Sequence, residues 1–436
     1  MRTDIVHIGA GELTYEIRNI VNVGEKLQRM GVRVNWENIG DPIAKGEKIP
    51  AWMKEIVVES VQDDLTYGYC PTRGILSTRE YIADQVNRMG GARLDANDII
   101  FFNGLGDAIS KVFGFLKRTA RVIVPTPSYT THSSAEAAHA GDRPVTYILD
   151  PNHNWYPDLD DIENHIKYNP AVAGILIINP DNPTGAVYPE YILREIVNIA
   201  DKNDLFIICD EVYQNMTYNG TKAAPLCTVI GDRVPAISMR GISKEMPWPG
   251  SRCGWIEVYN GHRDPMFEKY INSILNAKMV EVCSTTLPQA VLPKIQTHPE
   301  YPVYLEERIR RYERFSNIAY DILKDVKGLQ VNRTNGAFYM SAVFLQGELN
   351  HKQTLPIDDV GVQRSVQELV SGPDVAPDKR FVYYLLASTG VCVVPLSSFA
   401  TELQGFRITL LERNEEEFTK IFQTIAESIR RYLASA

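Results

Sequence analysis

Three polar motifs in the middle of the 436-residue chain could together support amine and acid–base chemistry. Residues 179–185 read Asn-Pro-Asp-Asn-Pro-Thr-Gly, and residues 210–213 read Asp-Glu-Val-Tyr. Residues 243–255 hold one lysine, Lys244, and one arginine, Arg252, in a loop broken by two prolines and two glycines. A lysine amine and a guanidinium in a rigid loop suit an amine nucleophile beside a bound anion.

The three motifs follow short apolar runs at 174–178, 205–209 and 236–239, which we interpret as strands. Strands of this kind alternate with helical patterns through much of the chain, which predicts an α/β fold with a mainly parallel sheet covered on both faces. Loops at the carboxyl ends of parallel strands form the sites of such folds. We therefore expect four side chains to converge there: Asn182, Asp210, Tyr213 and Lys244. A buried acid beside a lysine and a tyrosine perturbs the titration of all three.

Taken in order and spacing, the motifs resemble those of the class I/II aminotransferases, pyridoxal-phosphate enzymes of the aspartate aminotransferase fold. The resemblance extends from Gly40 to Arg407. It implies a large domain over residues 65–302 with a mainly parallel seven-stranded sheet, and a smaller α+β domain from both chain ends, residues 1–64 and 303–436.

The resemblance implies three catalytic residues. Lys244 would bond to the cofactor aldehyde and, once displaced by the substrate amine, move the Cα proton. Asp210 would pair with the pyridinium nitrogen and keep it protonated. Tyr213 and Asn182 would donate hydrogen bonds to the phenolate oxygen of the ring.

The resemblance also implies a cradle for the cofactor phosphate. Arg252 would bind the phosphate as a bidentate partner. The backbone amides of Gly104, Leu105 and Gly106, at the start of a predicted helix, would contact the same group. Taken alone, these glycines indicate only a tight turn.

Two departures from the family pattern affect this assignment. Many relatives have a serine three residues before the lysine, where this chain has Gly241. Either Ser243 replaces that phosphate ligand or the contact is lost. The segment 395–400 also differs from relatives near the substrate, and the polar stretch 346–380 looks like a loop or lid with a helix inside it.

Two tyrosines complete the implied cofactor site. Tyr129, in a proline-rich loop, would stack on the pyridine ring, although ordinary packing is the simpler interpretation of such a tyrosine by itself. Tyr69 would reach the phosphate of a neighbouring subunit, and Tyr67 is a near competitor for this role. This assignment implies a homodimer with shared active sites.

The substrate carboxylate has its own implied partners. Arg407 would clamp the α-carboxylate, with Asn182 and the backbone of Gly40 facing it. An arginine inside an otherwise apolar strand is costly unless it is paired, which favours a binding role even without the resemblance. The expected substrates are an amino acid and a 2-oxo acid.

Composition limits the partners and the compartment. A net charge of -9 supplies no basic patch for nucleic acid or an anionic membrane. The six cysteines form no C-x-x-C pair, and we expect them to be reduced in a cytoplasmic protein. The eight histidines form no metal-spaced cluster; His132 and His139 are expected to have surface or core roles. The charged stretch 303–315 indicates a solvated helix face.

Three enzymatic functions remain open at this stage, besides a regulator or binding module that keeps the cofactor fold without turnover, against which Lys244 and Arg407 weigh. The first is a ping-pong aminotransferase using pyridoxal phosphate. The second is a carbon–sulfur lyase or another enzyme of Cα chemistry, because the cofactor supplies the electron sink in either case. The third, a distant alternative, is a nucleotide-dependent oxidoreductase. It would use Gly9 and Gly11 after a strand at Asp4–Ile8, with Glu37 on the ribose, although Thr14 occupies the third glycine position.

Overall fold

The computed structural model describes residues 5–13, 16–372 and 375–435. Its strands are β1 (Asn35–Trp36), β2 (Ile99–Phe102), β3 (Arg121–Thr126), β4 (Thr146–Asp150), β5 (Tyr156–Pro157), β6 (Val172–Ile178), β7 (Phe206–Asp210), β8 (Ala236–Gly241), β9 (Gly254–Tyr259), β10 (Leu329–Val331), β11 (Tyr339–Phe344), β12 (Val391–Cys392), β13 (Val394–Pro395) and β14 (Gly405–Thr409). Its helices are α1 (Glu16–Arg29), α2 (Ala51–Ser60), α3 (Leu76–Met89), α4 (Leu105–Gly114), α5 (Thr130–Ala140), α6 (Leu159–Tyr168), α7 (Glu190–Lys202), α8 (Leu226–Ile230), α9 (Pro265–Glu281), α10 (Thr286–Gln296), α11 (Glu300–Leu323), α12 (Val360–Val370), α13 (Pro377–Thr389) and α14 (Glu415–Leu433).

Eight strands form the large sheet, in the order β2-β9-β8-β7-β6-β3-β4-β5. The pairs that join β8, β7, β6, β3 and β4 are parallel, whereas β9 and β5 pair antiparallel with their neighbours. The predicted α/β class with a mainly parallel sheet is confirmed. The strand number differs from the expected seven because β5 has only two residues, too few to show a strand pattern in the sequence.

Both faces of this sheet are covered. Successive side chains of a strand point to opposite faces. Accordingly, Ile99 and Phe101 of β2 join one apolar cluster, and Ile100 and Phe102 join another. All four residues are buried. A strand buried on both sides shows a continuous apolar run, which is why the sequence predicts these strands well.

A smaller antiparallel sheet has the order β10-β11-β14-β13. In it Ser341 of β11 lies opposite Arg407 of β14. Strand β1 pairs in parallel with β12, which joins the two ends of the chain. This pairing agrees with a small domain built from both ends, and the boundaries at residues 64 and 303 stay a prediction.

The sequence shows one helical pattern over residues 285–326, which predicts a single long helix. This prediction is wrong, because the structure divides the segment into α10 and α11. Pro299 caps the start of α11, and a proline disfavours the helical conformation of the residue before it. The expectation of a solvated face over 303–315 is also wrong in part. Arg308 and Tyr312 point into the protein and are buried.

The dinucleotide interpretation of the N-terminus is contradicted. Asp4, Thr14 and Tyr15 lie outside the described residues. The described part of the predicted strand, residues 5–8, does not form a β-strand. Residues 10–12 form a short 3-10 turn instead.

Close packing explains the glycine of this turn. A Cβ atom on Gly9 would lie 1.8 Å from the carbonyl oxygen of Ala138 on α5. Glu37, the expected ribose ligand, is buried and forms an ion pair with Lys45, with 2.6 Å between Oε1 and Nζ. Both features have structural explanations that need no nucleotide.

The structure also describes the state of the cysteines, the character of the helices and the grouping of metal-binding side chains. All six cysteines are free thiols, and only Cys283 is more than slightly exposed. Within residues 5–13, 16–372 and 375–435, no helix has the length and apolar character to cross a bilayer. No group of three or more His, Cys, Asp or Glu side chains in these ranges is arranged to hold a metal ion.

Gly390 lies in close contact with the N-terminal part of the chain, and substitution can test the importance of this contact. Gly390 ends α13 with φ +79°, and a Cβ atom there would lie 2.0 Å from the carbonyl oxygen of Arg33, just before β1. Gly347 has a similar φ of +84° with nothing within 4 Å of the position of a Cβ. We expect Gly347→Ala to cost about 1–2 kcal/mol through backbone strain. Gly390→Ala should cost about 1–3 kcal/mol more because of overpacking. Thermal unfolding of the two variants measures the difference, and equal losses would contradict the packing argument.

Candidate active site

Three neighbouring parallel strands bring their carboxyl ends to one edge of the sheet. Ile178 of β6 pairs with Asp210 of β7, and Asp210 pairs with Met239 of β8. The backbone N–H of Asn179 donates to the carbonyl oxygen of Asp210 over 3.0 Å. A cavity of about 200 Å³ opens at this edge. Its lining contains Leu105, Gly106, Ile109, Tyr129, Thr131, Ile178, Asn182, Asp210, Val212, Tyr213, Ser243, Lys244, Pro249, Arg252 and Tyr339.

Asp210 contributes a buried carboxylate to the cavity. Its Oδ1 accepts a hydrogen bond from the backbone N–H of Val212 over 3.1 Å. Its Oδ2 lies 2.8 Å from Nε2 of His132, which is fully buried on α5. Because an ionised carboxylate only accepts hydrogen bonds, the hydrogen of this pair belongs to Nε2. The two bonds hold the anion in one orientation and stabilise its charge.

Lys244 lies in the same cavity. Its Nζ donates to the carbonyl oxygen of Gly40 over 2.8 Å and lies 5.6 Å from the centre of the Phe338 ring. Gly40 is packed so closely that a Cβ atom there would lie 2.0 Å from the hydroxyl oxygen of Tyr339. A side chain at residue 40 would collide with Tyr339. Because glycine has none, the backbone at residue 40 can lie between Tyr339 and the amine of Lys244.

Tyr213 supplies a neutral donor. It is buried, and its hydroxyl donates to that of Tyr339 over 3.3 Å. Burial raises the pKa of Tyr213 well above its ordinary value, and the nearby Tyr339 and Asp210 raise it further. The phenol therefore stays protonated at neutral pH and can donate a hydrogen bond into the cavity.

Another part of the cavity lining is suited to an anion. Gly104 precedes α4 with φ +82°, and a Cβ atom there would lie 2.5 Å from Nη2 of Arg252. The first amides of α4, those of Leu105 and Gly106, therefore lie next to the guanidinium, and Ser243 lines the same cavity. A helix N-terminus beside a cation is a site for a phosphate group.

Arg407 borders the cavity from the small sheet. It is 2% exposed, and its Nη2 donates to the carbonyl oxygen of Asn38 over 2.6 Å. Its Nη1 lies 3.3 Å from Oδ1 of Asn182. The rings of Tyr339 and Phe399 lie 4.5 and 5.0 Å from its Cζ, which fixes the plane of the guanidinium. A planar cation held in this way can receive a carboxylate through two parallel hydrogen bonds.

Most predicted site residues therefore meet at one cavity, but Tyr69 does not. Tyr69 and Tyr67 are 85% and 74% exposed, and neither lines the cavity of its own chain. Tyr129 does line the cavity, and its ring centre lies 6.0 Å from that of His132.

Sequence reasoning missed two residues of this site. His132 was assigned a surface or core role, and its burial agrees with the second, but its bond to Asp210 places it in the site. Its position three residues after Tyr129, near the start of α5, was the available signal. Tyr339 was missed because it belongs to a strand pattern, in which an aromatic residue usually indicates packing rather than a role in a site.

The donor set of the cavity fits pyridoxal phosphate. The close approach of Gly104 to Arg252 forms an anion cradle at one end, the buried carboxylate of Asp210 can pair with a pyridinium nitrogen, and the amine of Lys244 lies in the same cavity. This fold and this donor set are those of a pyridoxal-phosphate enzyme.

Comparison with known proteins identifies the family. The family model for aminotransferase class I and II matches residues 38–425. An uncharacterised aminotransferase of Methanocaldococcus jannaschii is 59% identical over 433 residues, which cover 99% of this chain and 100% of that protein. The glutamate–pyruvate aminotransferase AlaA of Escherichia coli is 31% identical over 330 residues, 75% of this chain and 79% of that protein.

Solved structures agree with this result. An alanine aminotransferase from Pyrococcus furiosus has a TM-score of 0.80 at 26% identity and covers 96% of this chain and 98% of its own. An Escherichia coli aminotransferase has a TM-score of 0.82 at 25% identity, with coverages of 99% and 98%. The chain belongs to the class I and II aminotransferases, and it is a pyridoxal-phosphate-dependent enzyme.

The contact between His132 and Asp210 leads to a prediction. Replacing His132 with alanine removes a hydrogen bond to a charged group, which is typically worth about 1.5–3 kcal/mol. We expect the Kd for pyridoxal phosphate to rise about 10- to 100-fold in a fluorescence titration of the cofactor-free protein. His139→Ala is the matched control, because His139 lies on the same helix and contacts the carbonyl oxygen of Ala120 rather than Asp210. Equal affinities of the two variants would contradict a role for His132 at the cofactor.

Proposed function

We propose that the enzyme transfers the amino group of an amino acid to a 2-oxo acid by a ping-pong mechanism, with Lys244, Asp210 and Tyr213 as catalytic residues. The observation that carries this proposal is the position of the Lys244 amine, which lies 2.8 Å from the carbonyl oxygen of Gly40 in the cavity that contains Asp210. Pyridoxal phosphate, when bound, supplies the aldehyde that takes up the amino group and the ring that accepts electrons.

The residues of the chain divide the remaining work. Lys244, once its amine is free, would take the proton from Cα of the substrate and deliver it to the former aldehyde carbon of the cofactor, on the other side of the amino nitrogen. Asp210, held in one orientation by its contact with His132, would pair with the pyridinium nitrogen of the cofactor. Tyr213 remains a neutral donor because its pKa is raised by burial. Arg252, with the amides at residues 104–106, holds the phosphate.

Arg407 orients the substrate in this proposal. Its two terminal nitrogens would bind the α-carboxylate, and Asn182 and the loop at Gly40 would border the same group. Because the carboxylate is fixed, the Cα–H bond is directed towards the amine of Lys244.

The substrates that we propose are alanine and glutamate with their 2-oxo acids, pyruvate and 2-oxoglutarate. The names of two relatives support this choice, the glutamate–pyruvate enzyme of Escherichia coli and the alanine enzyme of Pyrococcus furiosus.

We also propose a cytoplasmic homodimer in which Tyr69 reaches the phosphate of the neighbouring subunit. Supporting this, Tyr69 and two apolar side chains that precede it closely in sequence, Leu65 and Tyr67, are all at least 74% exposed in the single chain. The free thiols of all six cysteines agree with a reducing compartment. Sedimentation velocity of the purified protein measures the assembly.

A donor screen tests the proposed reaction. Wild-type protein with alanine and 2-oxoglutarate should form pyruvate and glutamate in equal amounts, and initial rates at several oxo-acid concentrations should give parallel double-reciprocal lines. Lys244→Ala should lose this activity together with the visible absorbance that pyridoxal phosphate gives in the wild type. Steady release of pyruvate and ammonia from an amino donor without any oxo acid would instead identify a lyase.

Arg407→Lys tests the carboxylate clamp. Lysine keeps the charge but loses the two-pronged geometry. Loss of one charge-assisted hydrogen bond, about 1.5–3 kcal/mol, should raise the KM for alanine about 10- to 100-fold. Arg430→Lys is the control, since Arg430 is an exposed residue of α14 whose ion pair is with Glu427. An unchanged KM in Arg407→Lys would place the clamp elsewhere.

A further inference from the structure

A buried arginine of α11 holds the backbone at the lysine. Arg308 is 3% exposed, although it lies in a strongly charged stretch of sequence. Its Nη1 donates to the carbonyl oxygen of Lys244 over 3.0 Å and to that of Glu245 over 2.6 Å. Two carbonyl groups at the lysine are therefore fixed by one guanidinium.

The rest of the same guanidinium reaches the N-terminal part of the chain. Its Nε donates to Oε1 of Glu47, and its Nη2 donates to the hydroxyl of Tyr312 over 3.1 Å. Glu47 lies in the loop between β1 and α2, which also contains Gly40. The amine of Lys244 donates to the carbonyl oxygen of Gly40. The contacts therefore form a closed circuit, which runs from the lysine backbone to Arg308, from Arg308 to Glu47, and along the loop of Glu47 back to the lysine amine.

The circuit is ionic at its centre. Glu47 also accepts from Nη2 of Arg311 over 2.7 Å. Burial alone would raise the pKa of Glu47, but the charges of Arg308 and Arg311 outweigh it and hold the pKa below its ordinary value. Glu47 is therefore ionised at neutral pH. Because desolvation offsets much of the attraction in a buried ion pair, stability alone is a weak reason for this arrangement.

We propose that Arg308 is a positioning residue for amino-group transfer, which fixes the Lys244 backbone and, through Glu47, the loop that carries Gly40. This inference rests on the proposed role of Lys244. A guanidinium can do this because its donors diverge in one rigid plane towards two carbonyl oxygens, a carboxylate and a phenol. A lysine at residue 308 could supply the charge but could not span all four acceptors.

The test compares Arg308→Lys with Arg310→Lys on the same helix. Arg310 is exposed and forms an ion pair with Glu306, so its replacement should leave kcat and KM unchanged. Misplacement of a catalytic group by about 1 Å can cost about 100-fold in rate, and we expect a loss of this order in kcat for Arg308→Lys. Its KM for alanine should change less than kcat. Equal kinetics of the two variants would overturn the proposal.

A second measurement separates positioning from stability and from the proposed function. In the cofactor-free protein, hydrogen exchange should become faster in residues 38–50 and 243–247 of Arg308→Lys, and in neither segment of Arg310→Lys. Glu47→Gln should loosen residues 38–50 alone, because the bonds from Arg308 to the two carbonyls remain. A lower melting temperature with unchanged exchange in both segments would show a purely structural role and refute positioning. This readout holds even if the wild type shows no transamination.

Discussion

The site depends on the parallel pairing of three strands. Because Ile178 of β6 pairs with Asp210 of β7, and Asp210 pairs with Met239 of β8, the segments that follow these strands leave the sheet side by side. Asp210 is the last residue of β7, and Asn182 and Lys244 lie in the loops that follow β6 and β8. None of these residues has to be placed by a long flexible connection, and each loop is bonded to its neighbour; the amide of Asn179, for example, donates to Asp210. A rigid sheet edge of this kind gives a reaction site its fixed geometry.

Groups of both charges line the cavity. Arg252 and the helix terminus at Gly104 supply positive charge, and the carboxylate of Asp210 belongs to the same lining. A ring that carries a phosphate and a protonated nitrogen has a partner for each of these groups. The histidine behind Asp210 matters because its contact with Oδ2 fixes the orientation of the carboxylate.

The sequence predicted features that local chemistry controls. Strands covered on both faces are continuous apolar runs, and Asn182, Asp210 and Lys244 follow such runs within recognisable motifs. His132, Tyr339 and Arg308 were missed or misinterpreted because their roles come from tertiary contacts. A histidine in an alanine-rich helix and an arginine among exposed charges carry no local sign of the carboxylate or carbonyl that they contact. The break before α11 was missed although Pro299 marked it, since the helical pattern continued on both sides.

The span of the site along the chain has a consequence for folding. The carboxylate clamp joins Asn38, Asn182 and Arg407, so it links residues from near the start, the middle and near the end of the sequence. Contacts between residues so far apart in sequence form late, because the entropy of closing the long loop is lost before the contact stabilises the fold. During synthesis a chain that has produced β8 already contains Lys244 but lacks β14 and its arginine. The carboxylate clamp can therefore form only after synthesis has passed β14, later than the strands that carry Asp210 and precede Lys244.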